Sequence, residues 1–234
     1  MQPGQRGVIA ATALALASAC RGGPEPAAAR GPTVPFPAAT VHLEQNATDG
    51  DVEVVFQAVA RAAGLTTLTI TAPDGRRVVA LAAPDTSTLG LRQFRFESPE
   101  PRDPRRILAA YPEGPYTFVG TTAAGDSLTG SGTLSHRLPP SAAVTYPADE
   151  AEGVRVSGLV IRWALVAGIA AHELILEGPG PGRTLTVRLP ASATSFQVPD
   201  GVLRPGQEYQ LAIGTVLAGG NTAFVETTFT TNKE

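Results

Sequence analysis

The sequence has very little of several residue types on which common protein chemistries depend. Cys20 is the only cysteine among 234 residues, so the chain can form no internal disulfide, and zinc-finger or dithiol redox sites are excluded. Lys233 is the only lysine, which excludes a phosphate-binding Gly-x-x-x-x-Gly-Lys loop. The formal net charge of −3 gives no basic excess for binding a polyanion, and we expect no nucleic-acid partner.

The local sequence signatures of catalysis are missing as well. No Gly-x-Ser-x-Gly elbow occurs, and His172-Glu173 lacks the second histidine four residues on that a zincin helix requires. The other histidines, His42 and His136, are far apart in the sequence. We therefore predict no catalytic residues and interpret the chain as a non-enzyme.

The N-terminus has the features of a secretory signal, predicted for residues 1–19. Arg6 precedes an apolar run from residue 8 to residue 19, which is shorter than the roughly 20 residues of a membrane-spanning helix. The stretch Leu16-Ala17-Ser18-Ala19-Cys20 resembles the lipobox of bacterial lipoproteins. That resemblance implies that Cys20 is diacylated and becomes the mature N-terminus. The alternative is an ordinary signal cleaved after Ala19, which would leave the protein without an anchor.

We expect the mature protein to be exported and held at the cell envelope by this lipid. Arg21, and not aspartate, follows Cys20, which favours the outer membrane, at either its periplasmic or its surface face. Residues 20–37 are rich in Pro, Gly and Ala and are predicted to be a flexible linker. Two domains are predicted to follow, at 38–137 and 138–234, with the boundary in the stretch Arg137-Leu138-Pro139-Pro140.

Short runs of Val, Thr, Leu, Phe and Ile, separated by Gly, Pro and Asp, predict an all-β fold. Leu68 and Ile70 alternate with threonines, as a half-buried strand requires. One short helix is predicted between Asp103, as its cap, and Pro112. The predicted strands are 40–44, 52–58, 66–71, 77–82, 93–97, 116–121, 127–135, 143–146, 159–163, 171–177, 184–189, 195–198, 208–215 and 222–230.

The second half resembles a fibronectin type III domain. The resemblance covers residues 139–231 and depends on Trp163, at the core-tryptophan position, and on Leu203-x-Pro205-Gly206-x-x-Tyr209. It implies a β-sandwich in which Tyr209 is the tyrosine-corner residue, with a buried ring and a hydroxyl bonded to an upstream carbonyl.

The two halves share a partial internal repeat, in which Pro112-Glu113-Gly114-Pro115-Tyr116 aligns with Pro205-Gly206-Gln207-Glu208-Tyr209. The repeat places Tyr116 in the first half at the position that Tyr209 has in the second. We therefore predict two tandem β-sandwiches of immunoglobulin or fibronectin type III type. The exported region also resembles a group of secreted bacterial proteins that carry such a domain, through Pro73-Asp74-Gly75-Arg76 among other segments. That resemblance implies no activity.

A cluster of oxygen-bearing side chains is the best candidate metal site. Glu44, Asn46, Asp49 and Asp51 surround Gly50 and could converge on a Ca²⁺ ion. The spacing differs from that of an EF-hand, and the same residues suit an acidic hairpin turn, which we favour. No other cofactor is expected.

Candidate surfaces for polymers are few. Trp163, Tyr116 and Tyr209 are assigned to the cores, which leaves Tyr111 and Tyr146 as platforms for a sugar ring. Five arginines could form a basic face on the first domain, but acidic residues interleave with them and favour a mixed-charge surface. The arginines are Arg92, Arg95, Arg102, Arg105 and Arg106, and the acids are Glu97, Glu100 and Asp103.

These observations favour a lipid-anchored envelope protein with a non-enzymatic protein-binding, adhesion or structural role. Its partner would be another envelope protein or a cell-wall glycan. A glycan-binding accessory module is the alternative, and a metal-dependent enzyme that uses the loop near Asp49 is a third class.

Overall fold

The computed structural model describes residues 31–60, 62, 64–83, 91–101, 103–180 and 182–233. Cys20, the predicted signal, Arg102 and most of the predicted linker therefore lie outside the described residues. Within the described ranges no helix is both long and apolar enough to cross a membrane.

The described residues form sixteen strands and one helix, which confirms the all-β prediction. In the first half these are β1 (Thr33–Pro35), β2 (Ala38–Asn46), β3 (Val52–Val59), β4 (Leu65–Thr71), β5 (Arg77–Ala82), β6 (Gln93–Glu97), α1 (Arg105–Ala110), β7 (Gly114–Thr122) and β8 (Ser127–Leu134). In the second half they are β9 (Val144–Tyr146), β10 (Ala151–Val154), β11 (Val160–Trp163), β12 (Ala171–Glu177), β13 (Thr184–Pro190), β14 (Ser195–Gln197), β15 (Glu208–Val216) and β16 (Thr222–Thr231).

The strands build two sandwiches with the same arrangement. In the first, β1-β8-β7-β4-β5 form one sheet and β2-β3-β6 supply the other layer. In the second, β13-β12-β15-β16 form one layer and β14-β11-β9 the other. The short strands β1 and β10 pair in parallel with β8 and β16, the corresponding strands of the two sandwiches. The repeated order confirms the prediction of two tandem β-sandwiches.

The two sandwiches share one sheet. β16 pairs in parallel with β2 through Thr222↔Glu44, Ala223↔Gln45 and Phe224↔Asn46, so β13-β12-β15-β16-β2-β3-β6 run as a continuous sheet. We call this β16–β2 junction the seam. It pairs β2 with the N-terminal part of β16, which β10 does not cover, and both would otherwise be exposed edges. The sequence did not predict this pairing.

Each sandwich has its own apolar core, because alternate residues of its strands point inward. Phe56, Phe118 and Leu128 are fully buried in the first core, and Ile161 and Leu174 are fully buried in the second. Between the two layers of the first sandwich, the backbones of β8 and β2 approach closely. A Cβ atom on Gly132 would lie 2.9 Å from the backbone nitrogen of Val41.

The three aromatic residues assigned to the cores are buried. Tyr116 is fully buried and its hydroxyl donates to the carbonyl of Pro112 at 3.1 Å. Tyr209 stacks on Phe229 with 5.6 Å between ring centroids. The predicted partner of Tyr209 is wrong, because the turn presents the N–H of Arg204 to the hydroxyl oxygen at 2.8 Å, in place of a carbonyl. Trp163 is 3 % exposed in the second core.

Three details differ from the sequence predictions. β1 lies inside the predicted linker, and Phe36 packs in the first core, so the folded part begins earlier than residue 38. β10 was also missed. The helix is assigned from Arg105, one residue later than the predicted start at Pro104; Pro104 nevertheless has helical dihedrals, and the carboxylate of Asp103 accepts the N–H of Arg105 at 3.1 Å, the bond that the predicted cap would form.

Candidate functional site

The most distinctive surface feature is an acidic cavity of about 320 Å³ on the outer face of the continuous sheet, at the seam. We call it the seam cleft. Both sandwiches contribute to its lining, which contains seven carboxylic acids and one arginine, Arg95. The acids are Glu44, Asp51, Glu53, Glu97, Glu100, Glu177 and Glu226.

Strand alternation brings the carboxylates of the first sandwich together. In β2, Val41 and Leu43 point into the core, so Glu44 points outward. In β3 the register places Glu53 directly opposite Glu44. Like charges that face each other across a strand pair repel one another. The cleft therefore contains two carboxylates, those of Glu44 and Glu53, that repel each other when both are ionised.

Arg95 and His42 offset part of this repulsion by bonding to Glu44. The carboxylate of Glu44 accepts one bond from Nη2 of Arg95 at 3.0 Å and another from Nε2 of His42 at 2.9 Å. Nε of Arg95 also donates to Glu97. Burial alone would raise the pKa of Glu44, but the bonds from His42 and Arg95 outweigh it, and the pKa lies below its usual value.

Glu53 forms no comparable hydrogen bond among the described residues, and the positive charge of Arg95 offsets the repulsion on it only in part. Burial, together with the negative charges of Glu97, Glu44 and Glu100, raises the pKa of Glu53 to about 7. The side chain therefore changes its charge near neutral pH, unlike an ordinary glutamate. The negative charge of the cleft accordingly increases as the pH rises through 7.

The second sandwich supplies the remaining wall of the cleft. Ile175, Ala212 and Glu226 lie in one row across β12, β15 and β16. Phe224 packs against Gly214, where an added Cβ would lie 2.6 Å from a ring carbon. The wall thus combines apolar surface with the carboxylates of Glu177 and Glu226.

The segment from Glu44 to Asp51, weighed above as a calcium site or a hairpin turn, links the two sandwiches across the seam. Oδ1 of Asn46 accepts from the N–H of Thr48 at 2.9 Å, and Oδ1 of Asp49 accepts from the N–H of Asp51 at 3.0 Å. Nδ2 of Asn46 donates to Glu226 at 3.1 Å, and the N–H of Glu226 donates to Thr48 at 2.9 Å. These bonds favour the hairpin-turn alternative. The described residues contain no group of three or more His, Cys, Asp or Glu arranged to hold a metal ion.

The three histidines have separate environments. His42 bonds Glu44, and Nε2 of His136 lies 2.8 Å from the carbonyl oxygen of Tyr111. His172 is fully buried with its ring edge-on to Trp163 at 5.4 Å between centroids. Burial lowers the pKa of His172, so its neutral form packs in the core.

The two candidate sugar platforms differ in exposure. Tyr111 packs against Phe56, and the guanidinium of Arg76 lies 5.8 Å from its ring centroid. Tyr146 is 44 % exposed, and of the two it alone offers a free ring. The predicted arginine face is a mixed-charge surface in the described part, where Arg95 contacts Glu97 and Arg105 pairs with Asp103 at 2.9 Å.

Sequence reasoning singled out Glu44 and Asp51 but did not connect them with Glu53, Glu177 and Glu226. The alternation Val52-Glu53-Val54 did mark Glu53 as outward-facing. Nothing local in the sequence indicates that β16 pairs with β2, and this pairing brings the acids of the second sandwich to the same cavity.

No known protein-family profile and no curated protein matches the chain. Among solved structures it is similar to the FN1–FN3 domains of chicken CNTN1, with 11 % identity and a TM-score of 0.34; the match covers 86 % of this chain and 65 % of that one.

Two further solved structures are similar. The fibronectin(III)-like modules of Clostridium thermocellum CbhA share 9 % identity with a TM-score of 0.35, covering 84 % of this chain and 91 % of theirs. A two-domain fibronectin type III segment of chicken tenascin shares 14 % identity with a TM-score of 0.31, covering 83 % and 98 % respectively.

Proposed function

We propose that this chain is a lipid-anchored, non-enzymatic binding protein of the cell envelope that engages a cationic segment of another envelope protein through the seam cleft. The observation that carries this proposal is the acidic cavity on a sheet that runs unbroken through both sandwiches. The shared sheet fixes the two walls of the cavity relative to each other. A preorganised surface loses less conformational entropy on binding than a hinged one.

Charge complementarity indicates the class of partner. Seven carboxylates and one arginine line the cleft, and Arg95 is already engaged by Glu44 and Glu97. The excess negative potential attracts lysine or arginine side chains and raises the association rate at low salt. The apolar surface of Phe224 and Ile175 can cover the aliphatic stems of those side chains.

The anchor is supported by the lipobox-like stretch that ends at Cys20. A Cys20→Ala variant should leave the membrane fraction and lose the acyl mass measured by mass spectrometry of the intact protein. A variant that stays in the membrane fraction with its acyl mass intact would contradict the assignment.

Partner binding is tested in cells by a photo-crosslinking residue at Gln210, an exposed position that lines the cleft. The crosslinked product should disappear in a Glu177→Lys variant, because the reversed charge repels a cationic segment. Glu152→Lys is the matched control, since Glu152 is exposed on β10 and does not line the cleft. Equal crosslinking in both variants would refute the role of the cleft.

A second candidate function, glycan binding, is favoured by the exposed ring of Tyr146. It uses a different face of the second sandwich.

A further inference from the structure

We propose that the outer face of the β14-β11-β9 sheet binds an acidic sugar unit of a polysaccharide through Tyr146, Arg155 and Arg162. This inference rests on the second candidate function, glycan binding, and names the class of sugar and the residues that would bind it. It concerns the layer of the second sandwich opposite the seam cleft, so either site can exist without the other.

Strand register places the central side chains in one row. Arg162 on β11 pairs with Tyr146 on β9 and with Ser195 on β14. Directly paired residues of adjacent strands project from the same face of a sheet. Ile161 and Trp163, on either side of Arg162, are buried in the core, so this row faces outward.

The row borders a shallow cavity of about 350 Å³. Tyr146 and Arg162 line it together with Arg155, and Gly158, Leu159 and Val160 complete the lining. A volume of this size is near the lower end of the roughly 300–1,000 Å³ typical of small-molecule sites. It suits one small ring-shaped unit, with the rest of a polymer extending along the surface.

The two arginines are available for a ligand. Among the described residues, neither Arg155 nor Arg162 forms an ion pair, and neither guanidinium donates a hydrogen bond. In contrast, Arg95 and Arg105 are held by acidic neighbours. A guanidinium presents planar, fork-like donors that match the two oxygens of a carboxylate.

The chemistry of the row indicates a sugar that carries a carboxylate. An exposed tyrosine ring offers a flat apolar face to the C–H face of a pyranose, while its hydroxyl stays hydrated. Arg162 lies next to that ring and can pair with a carboxylate on the same sugar. Ser195 and Gln197, on the adjacent strand, can bond sugar hydroxyls. An inorganic or lipid phosphate would use the arginines alone and would not need the ring.

The test is affinity electrophoresis of the purified full-length protein in gels that contain polygalacturonate or hyaluronan, which are uronic-acid polymers. Dextran is the neutral polysaccharide control, and poly-L-glutamate is a polyanion without sugar rings. The protein should be retarded by at least one uronic-acid polymer, and by neither control polymer.

Variants separate ring stacking from charge. Tyr146→Leu and Arg162→Gln should each weaken retention at least tenfold, whereas Tyr146→Phe, which keeps the ring, should retain binding. Arg77→Gln on β5 is the matched charge control and should also bind, since Arg77 is exposed in the first sandwich. Thermal melts of each variant establish that it is folded.

Two results would overturn the proposal. The first is a lack of retardation by both uronic-acid polymers at low salt. The second is equal retardation by poly-L-glutamate with no loss in Tyr146→Leu, which would reveal a simple electrostatic surface for acidic peptides. Neither result bears on the seam cleft, because the crosslinking test at Gln210 is independent of this face.

Discussion

Replacement of Asn221 by alanine should loosen the seam. This residue lies in the turn between β15 and β16 and is 3 % exposed. Its Oδ1 accepts from the N–H of Leu43 at 3.0 Å, and its Nδ2 donates to the carbonyls of Ser135 and Arg137, each at 2.7 Å. The three bonds tie the second sandwich to the first.

The magnitude follows from what the substitution leaves behind. Each bond contributes about 0.5–1.5 kcal/mol, and a buried donor without a partner costs about 1–3 kcal/mol. Leu43 is fully buried, so its N–H would be left without a partner, whereas Ser135 and Arg137 are exposed residues and their bonds with Asn221 are only part-buried. The loss should therefore be about 3 kcal/mol. For a chain of this size it corresponds to a fall in Tm of roughly 6–12 °C.

Thermal unfolding followed by circular dichroism measures the change, and hydrogen exchange at the Leu43 amide reports on the seam itself. Asn232→Ala is the matched control, because the buried Oδ1 of Asn232 has no partner among the described residues. If both variants melted together, and the Leu43 amide kept its protection in Asn221→Ala, the reasoning would be refuted.

Three further substitutions test the fold and the cleft. Tyr209→Phe should lower the free energy of unfolding by about 1 kcal/mol, because the N–H of Arg204 loses its acceptor. Glu53→Gln should stabilise the protein at pH 8 and have little effect at pH 5. The pKa of Glu53 is about 7 in the folded protein and lower in the unfolded chain. Ionisation of Glu53 therefore opposes folding increasingly as the pH rises from the unfolded-state pKa to the folded-state pKa. Gly132→Ala should cost about 1–3 kcal/mol, because the new methyl group meets the backbone of Val41. Urea denaturation midpoints measure all three.

Each of these substitutions has a matched control. Tyr146→Phe removes a hydroxyl for which no bond occurs among the described residues, and a loss equal to that of Tyr209→Phe would contradict the tyrosine-corner bond. Glu152→Gln removes a carboxylate outside the cleft, and the two glutamine variants should differ in their pH dependence. Gly219→Ala introduces a methyl group with no atom within 4 Å, so it should be tolerated where Gly132→Ala is not.

The sequence predicted the strands well where burial imposes alternation. Leu68 and Ile70 are fully buried while Thr67 and Thr69 are not, as a period of two requires. The missed strands, β1 and β10, have three and four residues and pair in parallel at a sheet edge. Such segments are too short to show a period, and their partner strands lie far away in sequence.

The candidate site was predictable only in part. The sequence marks the Glu44 to Asp51 segment as a cluster of oxygen-bearing side chains, but the contacts of Asn46 and Thr48 with Glu226 depend on β16, more than 170 residues away. The sequence predicts Tyr111 and Tyr146 as candidate platforms because Trp163, Tyr116 and Tyr209 are assigned to the cores. The pairing of Tyr146 with Arg162 required strand register, which composition and spacing do not specify.

Pairing β2 with β16 has two opposite effects on stability: it covers strand edges, and it gathers carboxylates in one cavity. Each sandwich alone would expose an edge, β2 in one and the N-terminal part of β16 that β10 does not cover in the other, and pairing them satisfies backbone groups that would otherwise attract another chain. The same pairing brings Glu226 into a cavity that already contains Glu44 and Glu53. Hydrogen bonds from Asn46 and Asn221 hold the seam together, while carboxylate repulsion beside it, within the first sandwich, increases as Glu53 ionises against Glu97, Glu44 and Glu100. A cationic partner segment would neutralise that repulsion, so its binding should stabilise the folded protein most above pH 7, where Glu53 is charged.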